Sequence, residues 1–360
     1  MGGTPGGSGR VAAVTTDRLR ALSVVMPVFN EQSWVRTSLE ALLRAGEVAG
    51  LALDVVVVDD GSTDDTPTVL AELSARAGIR VLTQSNSGRL AARAAGLAAA
   101  NEPFVLMLDS RVVIHEQALV WLKAQVTEHP ERRVWNGHVD VETHNIYAAY
   151  WSGLVKIGWR RYTANPRLVS FGAEDFDYYP KGTTCLYIPR DLVVDATAGF
   201  ESMFDNEKLS SDDTRMLRYV AEHERIWISP EFAFTYHGKS GLRGFRRQCY
   251  FRGTTFIDGY LGRAGAIRRA LIAAMVGVVA IAAVTVFAPL VGLACVLAVL
   301  LATPVVVRLV GGSWYEMRAA AVLTPVFIPI FGVGILRGLY LAATSTRRSG
   351  VRTDSAASAP

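Results

Sequence analysis

The run Val55-Val56-Val57-Val58-Asp59-Asp60-Gly61-Ser62-Thr63-Asp64-Asp65 decides how this chain folds. Four β-branched residues in succession leave no wet face, as in a parallel-sheet strand covered on both sides. The run then stops on two carboxylates and a glycine. In an open α/β sheet the ligand lies beyond the carboxyl ends of the strands, so Asp59 and Asp60 stand where a ligand would bind. Asp64-Asp65-Thr66-Pro67 reads as a helix start, with acids in the first turn and a proline to set φ. Carboxylates at a strand end suit a base N–H, ribose hydroxyls or a metal ion, and not bare phosphate. The bland alternative is an acidic turn ahead of a helix.

Upstream, Leu22-Ser23-Val24-Val25-Met26-Pro27-Val28-Phe29 is a first strand ending in a proline turn, and Asn30 and Glu31 open the next helix. Downstream, residues 79–83 form a third strand. Strands alternating with helices at this spacing predict an α/β fold with a doubly wound, mostly parallel sheet. Arg89 and Arg93 are four apart and share a helix face, either to balance a diphosphate or as a solvated face. Phe104-Val105-Leu106-Met107-Leu108-Asp109-Ser110-Arg111 is a further buried strand ending on a carboxylate, so Asp59 and Asp109 close two strands at one edge. Ser211-Asp212-Asp213 begins a helix. Ser211 or Asp212 suits an N-cap, and an acid at a helix start beside a pocket also suits a general base. The aromatics crowded into residues 130–180 form either a core or an acceptor groove.

The chain has 360 residues, 50% of them hydrophobic, a net charge of +4 and a mean hydropathy of +0.24. That is too apolar for one soluble enzyme and fits a soluble domain plus a membrane part. Between Arg269 and Arg308 lie 38 uncharged residues, too many for one crossing and split by Ala288-Pro289 into two spans. A third apolar run, residues 319–344, is interrupted by Arg337. Residues 241–269 mix arginines with aromatics, as amphipathic helices on anionic lipid do. The basic excess flanks the apolar part, which favours a membrane surface over nucleic acid, and arginines before the first span predict a cytoplasmic catalytic domain. Three spans would put the tail outside; a re-entrant third run keeps it inside. Three scattered cysteines exclude a disulfide framework or zinc site. The expected divisions are a disordered tail at 1–20, a nucleotide-sugar domain at 21–240, interface helices at 241–269, membrane spans at 270–345 and a tail at 346–360.

Together, Met26-Pro27-Val28-Phe29-Asn30-Glu31, the block from Val58 to Asp64, the segment from Asn86 to Gly96, Leu108-Asp109-Ser110 and Ser211-Asp212-Asp213 resemble an inverting family 2 glycosyltransferase of GT-A type. The resemblance is to the membrane-anchored enzymes of bacterial exopolysaccharide synthesis. It implies a UDP-sugar donor held around Pro27, Asn30, Glu31, Asp59, Asp60, Arg89, Arg93, Asp109 and Arg111. Asp59 or Asp60 would bind uracil and Asp109 the ribose or a metal. Asp213 matches the second acid of the family's Glu-Asp pair, with Asp212 before it, and would be the catalytic base. Gln248 and Arg252 resemble the membrane-proximal Gln-x-x-Arg element, here without the following Trp of processive synthases.

The family's Asp-x-Asp has Arg111 at its third position here. Either Asp109 holds Mg²⁺ or Mn²⁺ with help from His237, or Arg111 partly replaces the ion. The implied acceptor is a polyprenyl-linked lipid or a glycan, and the implied place is the plasma membrane. A non-catalytic subunit keeping the nucleotide fold beside another transferase is the alternative. A nucleotidyltransferase lacks support, because no Gly-rich phosphate loop follows the first strand.

Overall fold

The computed structural model describes residues 19–142, 145–199, 202–209, 211–262 and 264–345, so residues 1–18 of the tail expected at 1–20 and the tail expected at 346–360 lie outside the described residues. The chain opens β1 (Ala21–Val28), α1 (Val35–Ala49), β2 (Ala52–Asp59), α2 (Thr66–Ala77), β3 (Arg80–Thr83), α3 (Arg89–Ala99) and β4 (Phe104–Leu108). These four strands lie parallel in the order β3-β2-β1-β4. Alternation explains the layers. Leu22, Val24 and Met26 of β1, with Val55 and Val57 of β2, bury against Leu39 and Leu42 of α1 and Leu70 of α2. On the other face Val56 and Val58 pack on Ala92 of α3. Each buried aliphatic side chain stabilises by about 1.5–3 kcal/mol, which is why the strand of four valines anchors the sheet. Gly96 lets α3 approach, since a Cβ there would run into Val25 and Val58.

The second half is mixed. It comprises β5 (Val112–Ile114), α4 (Ala118–Glu128), β6 (Val134–Val141), α5 (Ile146–Gly158), α6 (Arg160–Thr163), β7 (Val169–Phe171), β8 (Cys185–Pro189), α7 (Arg190–Ala198), α8 (Asp212–His223) and β9 (Ile226–Tyr236). β8 runs antiparallel to β4 and β6, β6 runs parallel to β9, and β5 and β7 run antiparallel to β9. Trp135, Tyr150, Tyr162 and Phe171 are fully buried, so the aromatic crowd is chiefly core.

The first helix starts at Val35, later than the sequence suggested. Asn30 is instead in a left-handed turn (φ 55°). Its N–H donates to Ser62 Oγ (2.9 Å) and its Oδ1 accepts from Thr63 N–H (2.7 Å), which ties the end of β1 to the acidic turn after β2.

The C-terminal part is α9 (Leu242–Tyr260), α10 (Ala266–Phe287), α11 (Pro289–Leu309) and α12 (Trp314–Thr344). The segment at 241–269 is one helix rather than two, and Arg268 and Arg269 belong to α10. Among the described residues three helices, α10, α11 and α12, are long and apolar enough to cross a membrane. A proline at the start of α11 sets the reversal after α10.

Candidate active site

The carboxyl ends of β1, β2 and β4 line one edge of the sheet, and the acids found there differ in what they hold. Asp59 is buried, and its Oδ1 accepts the Ser62 N–H (3.0 Å), closing the turn that the glycine makes possible at φ 74°. Asp60, also buried, accepts Gln84 Nε2 (2.7 Å) and the N–H groups of Ser87 and Gly88 (both 2.8 Å). Asp60 therefore shapes the loop that leads into α3. Pro27, in β1, pairs in register with Val58.

Arg93 on α3 is the centre of the cleft. The sequence left open a solvated face, but this side chain is only 2% exposed. Its Nη2 donates to Asp109 Oδ1 (3.0 Å), just past β4, and its Nη1 to Asp213 Oδ1 (2.6 Å), in the first turn of α8. Arg89, one turn earlier and 43% exposed, stands 3.4 Å from Asp213 Oδ2. Thr183, at the mouth of β8, donates its hydroxyl to the same Asp213 oxygen as Arg93. Asp109 N–H donates to the neighbouring Thr184 carbonyl (2.9 Å), which sets strand end against strand start. Burial pushes the Asp213 carboxyl up, but the Arg89 and Arg93 charges and the Thr183 and Arg93 hydrogen bonds outweigh it. The group lies well below the usual carboxylate range. Asp213 is thus an anion with its lone pairs engaged, and not an N-cap. The side chain of Asp212 lies outside the described residues.

Asp258 on α9 holds the start of α8 from behind. It accepts Met203 N–H (2.6 Å), Ser211 N–H (2.7 Å) and Ser202 Oγ (3.1 Å), and it faces Arg215 at 3.2 Å. Ser211 precedes α8 without a side-chain cap, so this carboxylate does the capping from a distance. Sequence reasoning missed Thr183 and Asp258. Thr183 carries no local catalytic signature in the sequence Lys181-Gly182-Thr183-Thr184, and Asp258 is the one acid in a basic helix, a signal available but unused.

The proposed metal ligands are not assembled. His237 Nδ1 sits 2.5 Å from Glu142 Oε2, and its ring stacks on Trp34 at 4.0 Å between centroids. Its backbone N–H donates to the Arg111 carbonyl (3.1 Å). Arg111 Nε binds Glu31 Oε1 (2.9 Å), and Asp109 is engaged by Arg93. Among the described residues no group of three or more His, Cys, Asp or Glu could hold a metal ion. With arginines already neutralising the acids, the donor set does not fit Mg²⁺ or Mn²⁺, which want several unpaired oxygens.

Of the membrane-proximal pair, Gln248 is half-buried and Arg252 is exposed with its guanidinium 4.7 Å from the Trp151 ring centre. A groove of about 390 Å³ opens beside them between α9 and α12, lined by Arg246, Arg247, Tyr250, Pro329, Ile330 and Val333. Arg337 lies over the Tyr250 ring at 5.2 Å.

Several known proteins share part of this chain. One is the undecaprenyl-phosphate 4-deoxy-4-formamido-L-arabinose transferase of Edwardsiella ictaluri, 35% identical over 95 residues, which are 26% of this chain and 29% of that protein. Its counterpart in Pseudomonas savastanoi is 38% identical over 99 residues, 26% and 28% of the two chains. The minor teichoic acid biosynthesis protein GgaA of Bacillus subtilis is 29% identical over 101 residues, 27% and 23%. The chain spans less than a third of the length of these curated relatives. Among solved structures, S. aureus TarS residues 1–349 with UDP-GlcNAc is 18% identical over 67% of each chain, with a TM-score of 0.46. Residues 23–144, from within β1 through β4 and on past β6, about a third of the chain, match the model for Glycosyl transferase family 2.

Proposed function

We propose that the chain is a membrane-attached inverting glycosyltransferase that moves a sugar from a nucleoside-diphosphate donor, UDP on the resemblance, to a lipid-linked acceptor in cell-envelope glycan assembly. The observation that carries this reading is Arg93, buried between a strand-end acid and a helix-start acid 104 positions apart, with Arg89 at its side. A diphosphate entering beside α3 competes with Asp213 for both guanidiniums. As they turn to phosphate, Asp213 loses the charges that depress it and gains basicity toward an acceptor proton. With a hydroxyl of a polyprenyl-linked glycan as acceptor, the hydroxyl oxygen then bonds to the anomeric carbon as its proton passes to Asp213. The bond to the diphosphate breaks on the opposite face, and Arg89 and Arg93 carry the departing charge. No step runs through a metal ion, because the acids that would hold one are held by arginines.

The groove between α9 and α12 supports an acceptor with a phosphate head and a hydrocarbon tail. Its wall is apolar at Pro329, Ile330 and Val333, and Arg246 and Arg247 rim it. Among the described residues none of Arg246, Arg247 and Arg337 has a carboxylate within ion-pair distance. An arginine inside an apolar helix marks a site by default. The relatives named for undecaprenyl phosphate agree with this reading. In it, residues 21–240 form the transferase domain on the cytoplasmic face and the C-terminal helices hold it to the plasma membrane.

The test is nucleotide release by the purified full chain in nanodiscs, with a panel of UDP-sugars, an undecaprenyl-diphosphate-linked sugar and undecaprenyl phosphate as alternative acceptors, and EDTA. Acceptor-dependent UDP release that persists in EDTA is expected. Asp213, already engaged by three side chains, also suits a subunit that binds a nucleotide without turnover. UDP binding without release under every condition would favour that second reading.

A further inference from the structure

The three apolar helices are not equivalent. In α10 and α11 only 6% and 11% of the apolar stretch is buried within the protein, whereas in α12 the share is 33%. α10 leaves the catalytic half at Asp177, whose Oδ2 accepts the Ile267 N–H (3.3 Å). α11 returns to it, where Val307 packs on Gly153 of α5. The turn between them exposes Phe287 (88%) and Leu290 (82%). Helices of 22 and 21 residues are about 33 and 32 Å long, which matches a hydrocarbon core of ~30 Å.

α12 is fastened to the catalytic half at both ends. At its start the buried Glu316 accepts from Ser152 Oγ (2.5 Å) and Lys156 Nζ (2.7 Å), both on α5. Just past its end Ser345 Oγ donates to Asp205 Oδ1 (2.8 Å), in the segment before α8. Between these points it runs alongside α9 in the same direction. Gly334 meets Gly253 and the Tyr250 carbonyl, and Gly338 meets Thr254 and Ile257, so closely that a Cβ at any of these glycines would collide. This is small-residue packing of two helices backbone to backbone. α9 exposes Arg243, Arg246, Arg247 and Arg252. A helix with those charges cannot sit at the bilayer centre, where each costs roughly 2.5–3.5 kcal/mol. α12 shares its depth. The side of α12 turned from α9 is apolar and bare, at Val322, Leu336 and Tyr340.

We propose that α10 and α11 make the only crossings among the described helices, and that α12 lies with α9 along the bilayer surface on the catalytic side, its bare apolar face in lipid. The ends of the chain then fall on one side of the membrane. Arg347, Arg348 and Arg352 follow α12 in the sequence, and basic residues next to membrane segments favour the cytoplasmic side. The inference rests on membrane attachment in the reading above and not on catalysis.

The test uses the full chain with Cys295→Ser, its other two cysteines being buried. Single reporters Ser8→Cys, Ala288→Cys and Ser358→Cys are probed with a membrane-impermeant maleimide in right-side-out and inverted vesicles. C-terminal alkaline phosphatase and fluorescent-protein fusions read the tail independently. Labelling of Ser8→Cys and Ser358→Cys from one side and Ala288→Cys from the other supports the proposal. Labelling of Ser358→Cys from the side opposite Ser8→Cys overturns it, as does labelling of all three from one side. None of these readouts requires sugar transfer, so a failed activity assay leaves the topology result standing.

Discussion

Asp59 and Asp60 hold backbone, whereas Asp109 and Asp213 hold an arginine. The first pair accepts N–H groups of its own turn and of the loop before α3. The second pair meets across Arg93 from β4 and α8. Backbone donors cannot leave, so the first pair is scaffold for the donor loop in this state. A guanidinium can exchange a carboxylate for a phosphate, so the second pair can change partners during a reaction. Four acids at one sheet edge thus divide into two jobs by what faces them.

The largest effect falls on the shared cation. Arg93→Met leaves half-buried Asp109 without its arginine and half-buried Asp213 with Arg89 alone. Loss of about 3–5 kcal/mol of stability is expected, together with loss of transfer. A chain of unchanged Tm would show that the two acids do not depend on Arg93.

The scaffold acids come next, and they should differ from each other. Asp60→Asn keeps one acceptor oxygen for three donors, so the Ser87–Gly88 turn loosens by about 1–3 kcal/mol and KM for the donor rises more than kcat falls. Asp59→Asn retains the oxygen that Ser62 needs and should cost less, about 1 kcal/mol. Equal donor KM in the two variants would erase the distinction between them.

The contrast extends to the cations. Arg93 is saturated by acids, while Arg246, Arg247 and Arg337 meet none among the described residues. Replacing each in turn by Gln should raise the KM for a polyprenyl phosphate roughly tenfold, one charge-assisted bond at ~1.5 kcal/mol, and leave donor binding alone. A parallel rise in donor Kd would move these arginines into the donor site.

The effect farthest from the cleft is a pH dependence. Lys181 is buried under Phe176, and burial pulls its ammonium down to about 7. Its unfolded value is ~10.4, so the unfolded chain binds more protons across this interval and stability rises as pH goes from about 7 toward 10. Lys181→Met should flatten that slope in a Tm–pH series. An unchanged slope would assign it to another group.

Much of this was legible in the residues. Val55 to Val58 declared a doubly buried strand, and Asp59 and Asp109 declared a shared edge, because burial and period are local signals. The four-residue spacing of Arg89 and Arg93 was readable, but that Arg93 points inward was not. Its burial depends on acids 16 and 120 positions away. His237 was taken for a ligand because nothing local reveals Glu142 beside it. The third apolar run, interrupted by Arg337, left crossing and re-entry both open, since its composition does not record that α9 lies against it.

The central claim is that Asp213, held by Arg89 and Arg93 until a diphosphate arrives, is the base. Asp213→Asn keeps the shape and removes the charge. Donor binding by calorimetry and transfer in a single turnover should be measured on the same preparation. The account predicts UDP binding at least as tight as in the parent, because a competitor for the arginines is gone, with transfer down by about 10²–10⁴. Transfer at the parental rate would contradict it.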